Sequence, residues 1–487
     1  EERTMSQRPN ILFLMTDQMQ GRVLHPEHPC RTPHFDQLRM RGLHFTRAYT
    51  PNAVCSPARA SLMTGLLPHN HGVLQVEHCV DDDQSVLRSQ YAHWAQNLVD
   101  AGYRTGYFGK WHIERSRALE QYGWQENGAD AKAVIRAGTG DSGEGALIRD
   151  DLLTRYQAEP PGYRSFLHYG VTEVEPDDRT YGQVTQRALS YLDGVLADDD
   201  PWAVCVSFSE PNEPLVCHRR SFEEQTVEQL ELPASVNDPM TGAPALYRRS
   251  QRIYDSMTDR QWRQARACYF GLVNEIDSML GQLLDKIEGR DALANTIVIV
   301  ASDHGRCLGA HGMDSHNIGA YEEAFHIPLV IAGPGIACDS ATTARVGLHD
   351  LCPTILELAG AKPITPSDAT SFASLLQGHA EAAAFTAGFA ENHGSRYPLM
   401  QRILWDDEWK FVFNGFDEDE LYDLHTDPHE LANLASLPEH RQRVEAMMTR
   451  MWAFIRRSGD RTLLETHYTP LRLAAVGPEV AVDDGHV

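Results

Sequence analysis

The stretch NILFLMTDQ, residues 10–18, is an apolar run that ends abruptly in polar side chains. Its apolar residues follow one another without polar alternation, which is typical of a strand buried on both faces of a parallel sheet. Four further runs have the same character, namely TGYFG (105–109), WAVCVSF (202–208), TIVIVA (296–301) and PLVIAG (328–333). Helical patterns separate these runs, so the sequence predicts an α/β fold built on buried parallel strands.

Helical spacing is clearest in residues 263–286, where apolar side chains recur on one face and predict a helix packed on the core. After residue 378 the short strands WKFVFNG and DELYDL precede the helical segment RQRVEAMMTRMWAFIRR. This order predicts a smaller C-terminal α+β subdomain with an antiparallel sheet. We therefore expect a large α/β domain, the α+β subdomain and an irregular tail, at residues 1–378, 379–461 and 462–487.

The chain of 487 residues has a formal net charge of −25, which argues against nucleic acid or an anionic membrane surface as a partner. Nine cysteines without any C-x-x-C pair indicate free thiols rather than a disulfide framework. The N-terminus lacks the features of a signal peptide, and no apolar run approaches the ~20 residues that span a bilayer. We expect a soluble cytoplasmic protein, and the irregular tail favours a homo-oligomer.

Two of the predicted strands end in potential metal ligands. Asp17 and Gln18 follow the first strand, and Asp303 and His304 follow TIVIVA. Ligands of open parallel sheets bind in the crevice beyond the carboxyl ends of the strands, and oxygen donors with one imidazole suit a divalent cation. Either pair alone is more simply read as a polar strand end that meets solvent. Both pairs in one chain favour a metal site.

A second candidate site lies in NAVCSPARASLMTG, residues 52–65. The pattern predicts a short helix with Ser56 as its cap and Gly65 at its end. Cys55 would lie at the positive N-terminal end of this helix, with Arg59 one turn further on. A helix N-terminus binds anions, so this arrangement predicts an anionic substrate held against a nucleophile.

These motifs together resemble those of a known family. C-S-P-A-R is similar to the C-x-P-x-R signature of type I sulfatases, in the alkaline phosphatase superfamily. GKWH, which contains Lys110 and His112, and SDHG match further segments of that family in the same order, as does ELYDLHTDPHELANLA near the C-terminus. The resemblance implies a large mixed, mostly parallel sheet sandwiched by helices. It also implies that a maturation enzyme, the formylglycine-generating enzyme, oxidises Cys55 to Cα-formylglycine.

The resemblance further implies a mechanism for a small organic sulfate ester or sulfamate. Hydrated formylglycine is a geminal diol, one hydroxyl of which attacks sulfur, while loss of the proton of the other expels sulfate. His112 is the candidate for the base or its partner. Arg59 and Lys110, with one divalent metal ion, would offset the charge on the sulfuryl oxygens.

Three departures from the family pattern concern the metal and the leaving group. Gln18 stands where many members have an acid, and the resulting set of Asp-Gln with Asp-His is similar to that of phosphonate monoester hydrolases and choline-sulfatase-like members. The imidazole in this set makes Mn²⁺ a rival to Ca²⁺. Asn212 in SEPNEP stands where a histidine often lies near the leaving group. His316, or Asn317 with a different gap, occupies the place of a lysine.

These departures leave alternatives open. One is a phosphonate monoester or phosphodiester hydrolase on the same scaffold, since the same nucleophile and metal can attack phosphorus. The other is a catalytically silent, sulfatase-like binding protein that keeps the pocket without the chemistry.

Overall fold

The computed structural model describes residues 8–129, 153–315, 318–395, 397–464, 469 and 472–480. Within these residues the strands are β1 (Asn10–Thr16), β2 (Gly42–Tyr49), β3 (Arg104–Gly109), β4 (Glu126–Ala129), β5 (Thr154–Ala158), β6 (Phe166–Thr172), β7 (Trp202–Ser207), β8 (Leu215–His218), β9 (Thr296–Ser302), β10 (His326–Ile327), β11 (Leu329–Ala332), β12 (Ser340–Gly347), β13 (Ala387–Asn392), β14 (Gln401–Asp406), β15 (Trp409–Asn414) and β16 (Glu420–Asp423).

The α-helices of the same residues are α1 (Pro33–Arg41), α2 (Cys55–Thr64), α3 (Pro68–His71), α4 (Trp94–Asp100), α5 (Thr180–Val195), α6 (Arg219–Glu223), α7 (Ala245–Gln251), α8 (Asp259–Glu288), α9 (Glu322–Phe325), α10 (Leu351–Leu358), α11 (Ala373–Leu376), α12 (Arg441–Ser458) and α13 (Arg461–Leu464).

A nine-stranded mixed sheet forms the centre of the molecule. Its strand order is β10-β2-β11-β9-β1-β7-β3-β4, with β12 paired to β2. The five strands from β9 to β4 along this order run parallel. The runs at 10–15, 105–109, 202–208 and 296–301 are all among them, which confirms their prediction as buried parallel strands.

The run at 328–333 was predicted as a parallel strand, and this prediction was wrong. It forms β11, which pairs antiparallel with both β9 and β2. The chain leaves β9 at its carboxyl end, crosses that end of the sheet and enters β11 from the same side, so the new strand must run backwards. A parallel strand would have needed a crossover to the opposite end of the sheet.

Helices cover both faces of the large sheet, as expected. Alternate residues of β1 enter two different hydrophobic cores, with Phe13 in one and Leu14 in the other. The predicted helix at 263–286 is α8, which is longer at both ends and begins with a capping box between Thr258 and Gln261. Its buried stripe packs in the same core as Leu14.

The predicted antiparallel unit follows near the C-terminus. Strands β13 to β16 form a four-stranded antiparallel sheet, and α12 packs apolar side chains against it. The tail contacts this same unit, because the indole of Trp452 donates a hydrogen bond of 2.9 Å to the carbonyl of Val476. The boundaries of the predicted domains remain predictions.

All nine cysteines are free, in agreement with the reading of their spacing. In the part of the chain that the structure describes, the helices are too short or too polar to cross a membrane.

Candidate active site

The carboxyl ends of the parallel strands carry the predicted metal ligands. Asp17 directly follows β1, and Asp303 directly follows β9. These strands are neighbours, paired in parallel up to Thr16 opposite Ser302, so the next residues lie side by side. Both carboxylates are completely buried. The parallel register therefore explains why acids almost 300 positions apart meet at one point.

Cys55 completes a buried cluster at this edge of the sheet. It is the first residue of α2, and its Sγ lies 3.2 Å from His304 Nε2 and 3.8 Å from Asp17 Oδ1. One ligand atom from each of Asp17, Cys55, Asp303 and His304 lies within 4.8 Å of the others. Burial, and then the charge of Asp17, raises the pKa of the Cys55 thiol. With these residues alone, Cys55 is a neutral thiol and a poor nucleophile.

The helix that presents Cys55 begins two residues earlier than its sequence suggested. Val54 is the N-cap, without a side-chain cap, and the prediction of Ser56 as the cap was wrong. Ser56 already lies in the first turn, where its hydroxyl accepts a hydrogen bond of 3.3 Å from the backbone of Glu77. Gly65 ends the helix with a φ of 68°, as predicted. Cys55 is thus fixed at the positive end of the helix dipole.

Arg59 links the carboxylates of Asp17 and Asp303 to the neighbouring strands. Its guanidinium donates to Asp303 Oδ2 at 2.7 Å, to Asp17 Oδ2 at 3.2 Å, and to the Ser207 hydroxyl and the Lys110 carbonyl at 2.8 Å each. The side chain is wholly buried. Burial alone would lower its pKa, but Asp303 and Asp17 raise the pKa above its usual value. Arg59 is therefore a permanent buried cation in this cluster.

Lys110 lies beside the cluster at the end of β3. Its ammonium group donates a hydrogen bond to Asp17 Oδ2. Burial works to raise the pKa of Asp17, but Lys110 and then Arg59 outweigh it and hold that pKa well below the usual range. The side chain of Lys110 keeps 13% of its surface exposed, whereas Arg59 keeps none. Lys110 is thus the cation of the cluster that is accessible from the open, solvent-facing side of the site.

His112 lies with two residues that the sequence did not point out. Its Nε2 is 3.0 Å from His78 Nδ1 and 3.9 Å from Glu77 Oε1, and among the described residues no contact joins it to Cys55. Its Nδ1 is buried without a hydrogen-bond partner. Burial, and then Lys110, lowers the pKa of His112 well below the usual value. The ring is therefore neutral, which is the form that accepts a proton.

The side chain of Gln18, predicted as a metal ligand, is hydrogen-bonded to an arginine. Its amide oxygen accepts a hydrogen bond of 2.9 Å from Arg306, and its backbone N–H donates to Asp303 Oδ1 at 3.3 Å. Arg306 is completely buried and also pairs with Asp314 at 2.6 Å and Glu213 at 3.0 Å. Arg306 directly follows the SDHG motif in the sequence. This position next to a metal-binding motif is the one sequence signal that could have predicted its role.

Of the two predicted substrate-binding positions, the structure describes Asn212. Asn212 is half-buried in the loop after β7, and its amide oxygen accepts a hydrogen bond of 2.6 Å from the backbone of Glu213. The same loop contacts the site, because the Glu210 carbonyl accepts a hydrogen bond of 3.1 Å from the Asp17 backbone. His316 and its alternative Asn317 lie outside the described residues.

Comparison with known proteins connects this site to a family. The sulfatase family model matches residues 9–361, and the model described as N-sulphoglucosamine sulphohydrolase, C-terminal, matches residues 309–457. The choline-sulfatase of Rhizobium meliloti (strain 1021) is 29% identical over 470 residues, covering 88% of this chain and 83% of that protein. The uncharacterized sulfatase YidJ of Escherichia coli (strain K12) is 27% identical over 436 residues, with the same coverage of 88% and 83%.

A solved structure shares the fold over nearly the whole chain. The phosphonate monoester hydrolase SpPMH from Silicibacter pomeroyi has a TM-score of 0.78 and 22% identity, covering 94% of this chain and 97% of that chain. This similarity confirms the alkaline-phosphatase-like architecture. The matched sulfatase region includes the Asp17, Cys55 and Asp303 segments, which confirms the resemblance first noted in the motifs. The chain belongs to the sulfatase family, a family of sulfuric ester hydrolases.

Proposed function

We propose that this protein is a metal-dependent hydrolase of small organic sulfate esters or sulfamates that uses residue 55 in the formylglycine form. The observation that carries the proposal is the position of the Cys55 side chain. It lies at a helix N-terminus and within a buried cluster of two carboxylates and one imidazole. An oxygen on the same Cβ would occupy the place of the sulfur, facing the residues that hold a cation.

The donor set fits a divalent cation. Asp17, Asp303 and His304 supply buried oxygen and nitrogen ligands, and Gln18 joins them through the lone pair of its amide oxygen that Arg306 leaves free. When bound, the ion acts as a Lewis acid that favours a nucleophile at neutral pH and offsets negative charge on the substrate. Oxygen ligands suit Ca²⁺, and the imidazole makes Mn²⁺ equally suitable.

The remaining site residues have separate tasks in this proposal. Arg59 fixes the orientation of both carboxylates, because it bonds to each of them while fully buried. Lys110, on the open side of Asp17, offsets charge on the sulfuryl oxygens. His112 supplies a neutral imidazole as the proton acceptor or as its partner. Asn212 and His316 are proposed to contact the leaving group.

A substrate panel tests this function and separates it from the alternatives. We expect turnover of alkyl sulfates or sulfamates to exceed that of phosphonate monoesters and phosphodiesters, measured as kcat/KM with Ca²⁺ and with Mn²⁺. Cys55→Ala should abolish turnover, because no other residue of the cluster replaces the nucleophile. The matched control is Cys338→Ala, which removes an exposed thiol and should leave turnover unchanged.

Two outcomes would contradict the proposal. Preferred turnover of phosphonate monoesters would favour the phosphonate hydrolase alternative. Binding of sulfate esters without any turnover, in protein produced together with the maturation enzyme, would favour the silent binding protein. The cytoplasmic location and the homo-oligomer remain predictions, and light scattering of the purified protein tests the second of them.

A further inference from the structure

A second group of metal-ligating side chains lies outside the cluster around Cys55. It consists of Glu77, His78 and His112, whose ligand atoms face one another. His112 Nε2 is 3.0 Å from His78 Nδ1, His78 Nδ1 is 3.6 Å from Glu77 Oε1, and Glu77 Oε1 is 3.9 Å from His112 Nε2. The three atoms therefore form a compact triangle with sides of 3.0–3.9 Å.

This triangle has the dimensions of one face of a tetrahedral metal site. An ion about 2.0–2.1 Å from each ligand atom separates neighbouring ligand atoms by about 3.4 Å, which lies within the observed range of separations. Two imidazoles and one carboxylate form a common ligand set for Zn²⁺, with a fourth position open to water. Soft or borderline transition metals favour such imidazole-containing sets over the oxygen-rich sets that suit Ca²⁺.

The surroundings support a preformed ligand set. Glu77 is buried, while the side chain of His78 is 48% exposed and provides access from solvent. Arg115 lies 3.5 Å from Glu77 Oε2, the other carboxylate oxygen, and also donates to the Glu77 backbone carbonyl. It therefore orients the carboxylate so that Oε1 faces the two histidines, as partners of ligating carboxylates do in metal sites.

We propose that Glu77, His78 and His112 bind a transition-metal cation such as Zn²⁺ at a second site, and that this binding inhibits the enzyme. The inhibition, but not the binding, rests on the proposed function, because His112 is the residue proposed to accept a proton. Coordination occupies the lone pair of His112 Nε2, and a ligating nitrogen cannot accept a proton at the same time.

Zinc uptake by the holoenzyme tests the site directly. We expect equilibrium dialysis against Zn²⁺ alone, followed by elemental analysis, to give one more equivalent of zinc in the wild type than in His78→Ala. Glu77→Gln should lower the affinity for this additional zinc ion by about tenfold or more. The control His379→Ala removes an exposed histidine of another surface and should bind as much zinc as the wild type. Equal uptake by the wild type, His78→Ala and Glu77→Gln would overturn the site.

Activity then tests the inhibition separately. Zinc should lower wild-type turnover in parallel with uptake of the additional equivalent, a chelator should restore it, and His78→Ala should be less sensitive relative to its own zinc-free rate. Uptake of the additional equivalent without inhibition would overturn the inhibitory effect and the assignment of His112, while the site itself would stand. A lack of sulfatase activity with the additional uptake intact would instead count against the proposed function alone.

Discussion

Arg59 is the residue on which the geometry of the candidate site depends most. It is buried, and it bonds to Asp17, Asp303 and the end of β7 at the same time. A guanidinium offers five donors in a fixed plane, whereas an ammonium group offers three around a point charge. The arrangement around Arg59 therefore requires arginine and not merely a positive charge.

Arg59→Lys tests this dependence. We expect kcat to fall by about 10²-fold, the loss typical of a small misplacement of catalytic groups, because a lysine cannot hold both carboxylates in the same way. The measurement is steady-state turnover of the best substrate, with Arg441→Lys as the control because that side chain is 81% exposed. Wild-type turnover in Arg59→Lys would show that charge alone suffices at this position.

The sequence predicted the residues of the Cys55 cluster but not all of their partners. Asp17 and Asp303 could be predicted because each follows a recognisable buried strand, and adjacent parallel strands bring such ends together. The contact between Gln18 and Arg306, and that between His112 and His78, depend on how loops pack on one another. Local patterns carry no information about such packing, so these contacts became visible only in the folded chain.

At the scale of elements, the close approach of β3 and β7 positions Lys110. Gly109 ends β3 with a φ of 95°, and a Cβ at this position would collide with the backbone oxygen of Ser207. The same two strands present Lys110 to Asp17 and Ser207 to Arg59. Glycine at position 109 therefore allows the strands to pair up to the site.

Gly109→Ala should disturb both stability and activity. We expect the free energy of unfolding to fall by about 1–3 kcal/mol from backbone strain at alanine, and further because the strands must separate. Gly194→Ala is the matched control, since a Cβ there, within α5, meets no atom within 4 Å. Denaturant unfolding measures both variants, and equal stability of the two would contradict this interpretation of β3 and β7.

The direction of a strand was harder to predict than its existence. The apolar run that became β11 has the same appearance as the runs that became β1 and β9, because burial on both faces requires the same side chains in either direction. Only the connection decides the direction, and here it returns from the same end of the sheet. The hydrophobic pattern of the sequence thus predicted the layers of the fold, but it did not predict the direction of every strand.

At the scale of the whole molecule, a buried ionic cluster joins the large sheet region to the C-terminal sheet. His69 of α3 contacts Glu391 of β13 through Nδ1 and lies 3.1 Å from the carbonyl of Ser458 through Nε2. Glu391 also accepts a hydrogen bond of 2.9 Å from His393. Both ring nitrogens of His69 face acceptors, so only the protonated ring satisfies both contacts.

This contact predicts a pH dependence of stability. Burial works against the charged ring, but the hydrogen bond and charge of Glu391 outweigh it and raise the pKa of His69 to about 8. A raised pKa in the folded state contributes stability that is complete below the unfolded value of about 6.5 and is lost as pH rises through about 8. This contribution to the free energy of unfolding amounts to about 2 kcal/mol, since a difference of one in pKa corresponds to about 1.4 kcal/mol.

Unfolding by denaturant between pH 6 and pH 9 measures this contribution. His69→Gln should be less stable than the wild type at pH 6 and should approach it at pH 9, because a neutral amide does not titrate. His425→Gln, at an exposed position, serves as the control and should keep the wild-type profile. A difference between His69→Gln and the wild type that does not change with pH would contradict the protonated state of His69.

The formylglycine form of residue 55 is tested by the mass of the tryptic peptide of residues 48–59, which contains Cys55. In protein produced together with the formylglycine-generating enzyme, we expect an aldehyde in place of the thiol, with turnover in proportion to the converted fraction. Turnover should follow the converted fraction because unmodified Cys55, buried against His304 and Asp17, is a neutral thiol and a poor nucleophile. A fully active protein with an unmodified thiol at position 55 would rule out formylglycine as the nucleophile.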